Sequence, residues 1–181
     1  MDNDTLATIG ANLEANFDAY ATSTAGETLD ISFTTASNPQ TQTMQLTLVS
    51  TESIPNPYGE SVKCITFKDA QGNLYVHFRG TGDGNWEYNT SAFSDTPSDI
   101  QTKSMEYFDR VIEEHYQNNP NRGKVYVSGH SQGGNTAQYV TLSSKYGDYI
   151  DTCTSLDGPG FGKGLVQNMK AKYGEGHFNK Q

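Results

Sequence analysis

The chain has 181 residues, enough for one domain with a sizeable core, and carries a formal net charge of -9. With a sequence pI of about 4.7 and no basic cluster, it is not built for nucleic acid and gains nothing electrostatically from an anionic membrane. No apolar run is long enough to span a bilayer, and Met1-Asp2-Asn3-Asp4 does not open a secretory signal, which favours the cytoplasm over export.

Leu6, Ile9, Leu13, Phe17 and Tyr20 recur at spacings of three and four, so residues 4–21 are predicted as an amphipathic helix capped by Asp4 or Thr5. Two alternating stretches follow, Leu29-Ile31-Phe33 and Met44-Leu46-Leu48, which suit half-solvated strands. Residues 1–60 are therefore expected to form a helix plus antiparallel strands. Val62 to Phe67 and Leu74 to Phe78 read as a hairpin around Asp69-Ala70-Gln71-Gly72-Asn73.

Residues 82–96 are polar and Gly-containing, and Pro97 is expected to open a long helix to about Gln117, with Ile100, Phe108, Val111 and Ile112 inward. A strand at Val125-Tyr126-Val127, a helix to Tyr146, a strand from Ile150 to Leu156 and a last helix around Leu165, Val166 and Met169 complete the chain. Strands alternating with helices in this half argue for a parallel sheet of the α/β kind. Cys64 and Cys153 each stand in a strand-like run and read as small buried residues. No zinc spacing, phosphate loop or EF-hand pattern is present, so neither metal nor cofactor is expected.

The chemistry concentrates at Gly129-His130-Ser131-Gln132-Gly133-Gly134. An apolar strand, a Gly-x-Ser-x-Gly turn and a helix-compatible segment occur in the order of a nucleophile elbow. The turn would expose Ser131 for attack on an acyl carbon, and Gly129 and Gly133 fall where strand and helix would crowd a side chain. A helix N-terminus behind Ser131 would offer N–H groups to a developing oxyanion. Ser131 is the expected nucleophile and the Gln132 N–H one oxyanion donor.

A second strand ends in Phe78-Arg79-Gly80-Thr81, with Trp86 a few residues on, and a later turn reads Asp157-Gly158-Pro159-Gly160-Phe161. Through these motifs and the elbow, residues 62–162 resemble the class 3 lipases of the α/β-hydrolase superfamily, and more closely the bacterial Mbeg1-like family. The resemblance implies a mostly parallel α/β-hydrolase-like sheet with flanking helices and an N-terminal β-rich portion, all in a single domain over residues 1–181. It implies hydrolysis of small-molecule or lipid carboxylic esters through an acyl-serine, with Thr81 supplying the second oxyanion donor. It also places residues 82–96 in the position of a lid. No integral membrane segment, nucleic acid or cofactor is implied, and the oligomeric state is left open.

Serine needs a histidine base oriented by a carboxylate. His77, His115 and His130 read as structural. His177 alone follows the elbow in the superfamily's chain order of serine, acid and histidine, which makes it the candidate base. Asp157 is the candidate acid, and Asp151 a lesser one. Arg79 and Asp83 are expected to pair across the oxyanion turn. Class 3 lipases place acid and histidine well downstream of the Asp-Gly-Pro-Gly-like turn, so the resemblance implies a C-terminally truncated hydrolase. The alternative is a non-catalytic or truncated hydrolase-fold domain acting in binding.

Overall fold

A computed structural model describes residues 1–20, 22–56, 61–80 and 94–176. Six strands form one mixed sheet in sequential order: β1 (Thr28–Phe33), β2 (Gln42–Ile54), β3 (Val62–Lys68), β4 (Leu74–Phe78), β5 (Val125–His130) and β6 (Thr152–Leu156). The pairings from β1 to β4 are antiparallel, and those of β4 with β5 and β5 with β6 are parallel. This is an α/β fold whose parallel portion is confined to the half with helical crossovers.

Among the described residues four helices flank the sheet: α1 (Asn3–Tyr20), α2 (Asp99–His115), α3 (Gln132–Ser143) and α4 (Lys163–Tyr173). Side chains of a strand alternate between faces, and both faces of the central strands are buried. On one face Leu6, Ile9, Leu13 and Phe17 of α1 pack on Ile31, Leu46, Phe67 and Tyr75. On the other, Phe108, Val111 and Ile112 of α2 and Val140 of α3 pack on Val76, Phe78, Val125 and Val127. Leu165 and Met169 of α4 cover Tyr139 and Leu142 of α3. No helix among the described residues is long and apolar enough to cross a membrane.

The predicted elements appear with shifted ends. Helix α2 starts at Asp99 because Ser98 closes a reciprocal capping box with Gln101, which satisfies otherwise unpaired N–H groups. Helix α3 stops at Ser143 because Ser144 turns extended, and the Ser144 hydroxyl then receives the Tyr146 N–H at 2.9 Å. A short 3₁₀ turn over Gly147–Tyr149 delays β6 to Thr152. Cys64 is buried, Cys153 half-buried, and both are free thiols.

Candidate active site

The register aligns Phe78 of β4, Gly129 of β5 and Ser155 of β6. The carboxyl ends of three parallel strands thus lie side by side, where open α/β sheets gather their ligand chemistry. The Phe78-Arg79-Gly80 turn, the elbow and the Asp157 turn all emerge there.

Ser131 joins β5 to α3 with φ 52° and ψ -123°, a conformation that non-glycine residues adopt at a cost and that clusters at functional sites. Three hydrogen bonds hold it: its N–H donates to the Leu156 carbonyl at 2.8 Å, and its own carbonyl accepts from the N–H groups of Gly134 at 2.9 Å and Asn135 at 3.2 Å. The glycines beside it answer to crowding. A Cβ on Gly129 would lie 2.2 Å from the Gly133 carbonyl oxygen, and one on Gly133 would lie 2.0 Å from that of Phe78.

Gln132 is the first residue of α3, so its N–H has no intrahelical acceptor. The first turn of α3 contains no acidic residue, which leaves the positive end of the helix free to face a developing anion. The Gln132 side chain is buried, and among the described residues neither its amide nitrogen nor its oxygen finds a hydrogen-bond partner. Asn135, one turn further on, is fully committed. Its Oδ1 accepts from Gln101 Nε2 at 2.8 Å, and its Nδ2 donates to the carbonyls of Pro159 at 3.1 Å and Gly160 at 3.2 Å. One buried amide therefore ties the start of α2 and the Asp157-Gly158-Pro159-Gly160 turn to the elbow helix.

Among the described residues no histidine hydrogen-bonds to Ser131. His77 is wholly buried, with Nδ1 2.9 Å from Ser128 Oγ and Nε2 2.7 Å from a Glu14 carboxylate oxygen. His130 is exposed and its Nδ1 lies 4.0 Å from Glu14. His115, at the exposed end of α2, faces Glu114 at 3.6 Å. All three are thus placed for roles other than that of base. Asp157 is exposed, just past β6, with φ 52°. Asp151 accepts the Val125 N–H at the other end of the sheet, at 2.9 Å. Thr81, Asp83, Trp86, His177 and the loop residues 82–93 lie outside the described residues. No group of three or more His, Cys, Asp or Glu among the described residues is placed to hold a metal ion.

Arg79 pairs with Asp18 of α1: its two terminal nitrogens reach the two carboxylate oxygens at 2.5 and 3.0 Å, while the expected partner Asp83 lies outside the described residues. Glu14, Asp18 and Gln101 were not singled out by sequence reasoning, and Asn135 was read only as the last residue of the elbow motif. The signals were present as Glu14 and Asp18 at helical i, i+4 spacing and as Ser-x-x-Gln before an apolar run, but what they touch is set by the fold.

A family model described as Mbeg1-like matches residues 36–177. The chain belongs to the Mbeg1-like family. Among solved structures this Mbeg1-like chain is similar to a fungal lipase, determined as a lipase–inhibitor complex, with 19% identity and a TM-score of 0.49. That alignment covers 71% of this chain and 54% of the lipase chain, so the chain spans about half the length of that lipase. Comparison with the curated proteins gives no match.

Proposed function

We propose that this chain carries the nucleophile and oxyanion portion of a serine hydrolase that cleaves carboxylic esters, small or lipid, within a single α/β-hydrolase-like domain. The observation that carries the reading is the Ser131 backbone, held strained at the carboxyl ends of the parallel strands and at the positive end of α3. Strain of this kind persists only where surrounding contacts impose it, and here three hydrogen bonds and two crowded glycines do so.

In the proposed reaction Ser131 Oγ attacks the ester carbonyl carbon while a histidine takes its proton. The carbonyl oxygen becomes an oxyanion that accepts from the Gln132 N–H and from Thr81. The tetrahedral adduct collapses, and the alkoxide leaves as an alcohol with the proton returned by the histidine. Water, deprotonated by the same histidine, then hydrolyses the acyl-Ser131 ester and releases the acid. The base comes from outside the described residues, with His177 as candidate and Asp157 as its candidate carboxylate.

One observation favours a second reading, a hydrolase-fold domain that binds and does not catalyse: none of the described histidines reaches Ser131. Covalent labelling separates the two. A fluorophosphonate probe adds one phosphonyl group to the chain under the first reading, and Ser131→Ala abolishes the addition. Equal labelling of both proteins, or of neither, favours the binding domain.

A further inference from the structure

Helix α1 lies before the span 36–177 matched by the family model, yet it reaches the carboxyl end of the sheet. Its apolar stripe, with Leu13 and Phe17, seats it on the core. Glu14 and Asp18, one turn apart, both engage the segment that leads out of β4. Glu14 Oε1 accepts the Gly80 N–H at 3.3 Å, while Glu14 Oε2 lies 2.7 Å from His77 Nε2. Asp18 holds the Arg79 guanidinium, which also sits 5.8 Å from the centre of the Phe17 ring.

The set Glu14–His77–Ser128 has the composition of a catalytic triad but is closed to substrate, since His77 is 0% and Ser128 8% exposed. With a carboxylate at Nε2, the proton of a neutral His77 sits on that nitrogen, and Nδ1 accepts from the Ser128 hydroxyl. The set thus links β5, three residues before Ser131, through β4 to α1. Its open end is the second carboxylate oxygen of Glu14, directed at the peptide N–H of Gly80. Gly80 immediately precedes Thr81 in the chain.

Resting on the hydrolase reading above, we propose that Glu14 is a positioning residue of the active site. Its carboxylate fixes the Arg79–Gly80 peptide, next in the chain to Thr81, the proposed second oxyanion donor. Asp18, through Arg79, is the second tie on the same turn. A misplacement of about 1 Å in a preorganised donor can cost on the order of a hundredfold in rate, because its orientation is set before charge develops.

Two readouts test this on the full chain, in wild type, Glu14→Ala and Glu14→Gln. The first is amide hydrogen exchange at Gly80, Val76 and Val127 by NMR. The second is the fluorophosphonate labelling rate at Ser131 against probe concentration. In Glu14→Ala the Gly80 amide exchanges about tenfold faster, with Val76 and Val127 unchanged, as expected for one lost hydrogen bond. The maximal labelling rate falls about tenfold or more at an unchanged half-saturating concentration, as for a transition-state contact. Glu14→Gln, which keeps an acceptor oxygen, recovers part of both. Unchanged Gly80 exchange overturns the proposal, as does faster exchange with labelling at the wild-type rate. If Glu14→Ala does not fold, Glu14→Gln decides by the same criteria. If wild type is not labelled, the hydrolase reading is what fails, and Gly80 exchange alone judges the clamp.

Discussion

Gly133 lies so close to Phe78 that a Cβ on it would stand 2.0 Å from the Phe78 carbonyl oxygen. Helix α3 and the end of β4 are therefore interlocked backbone to backbone, and each sets the position of the other. Gly133→Ala forces one of them to move, because the obstructing atom belongs to the main chain and has no rotamer to change. The expected destabilisation is about 3 kcal/mol or more. In a chain of this size that lowers Tm by roughly 6–12 °C. Thermal unfolding followed by circular dichroism measures it, and an unchanged Tm contradicts the interlock.

Ser131 is expected to trade stability for function. Its φ of 52° carries a penalty that glycine does not share, and no side-chain hydrogen bond caps α3 in return. Ser131→Gly is therefore expected to raise stability by about 1 kcal/mol while removing the nucleophile. Urea denaturation checks the first effect and covalent labelling the second. A destabilised Ser131→Gly protein argues against strain at this residue.

The buried Gln132 side-chain amide makes no hydrogen bond among the described residues, so an apolar side chain of similar length is expected to be better tolerated there than the native one. Gln132→Met removes the unpaired polar atoms and is expected to stabilise the fold by about 1–2 kcal/mol. The proposed oxyanion donor is the backbone N–H, which the substitution retains, so labelling at Ser131 stays within a few-fold of wild type. Loss of labelling together with a lowered Tm assigns the side chain a partner of its own.

Alkaline pH probes a buried thiol at the same end of the sheet, since Cys64 pairs with Phe78. Burial pushes the Cys64 thiol up from its ordinary value of 9.0 to about 12, against a weaker lowering by the hydrogen bond to Ser104. Burial likewise raises the Tyr107 phenol. A folded-state pKa above the unfolded value means that the folded chain holds its proton more tightly. The contribution is then fully present below the unfolded pKa, near 9, and is lost as pH rises toward 12. Within that window Cys64 alone lowers stability by about 1.4 kcal/mol per pH unit. Urea unfolding from pH 8 to 10.5 should show this decline, with a shallower slope in Cys64→Ala. Equal slopes remove Cys64 from the account.

Local patterns made much of this structure readable. The three-and-four spacing of Leu6 to Phe17 marked α1, the alternation at Leu29-Ile31-Phe33 and Met44-Leu46-Leu48 marked the half-solvated pair, and strand, Gly-x-Ser-x-Gly and helix marked the elbow. What was not legible depends on contacts between distant segments. Arg79 holds Asp18, 61 residues away, a pairing that arises because α1 crosses the sheet at the carboxyl end of β4. Asn135 stands openly in the elbow motif. Its link from Gln101 to the Pro159 and Gly160 carbonyls depends on how α2 and the last turn pack on α3, which no local pattern encodes. Element ends moved for a local reason, the Ser98–Gln101 capping box at the start of α2 and the Tyr146 N–H bond to Ser144 past the end of α3.

The central claim is that Ser131 is an activated nucleophile, and mass spectrometry of the intact chain after exposure to a fluorophosphonate tests it most directly. The account predicts one added phosphonyl group on wild type, mapped by peptide analysis to Ser131, and none on Ser131→Ala. No addition to wild type, or addition to both proteins alike, contradicts it.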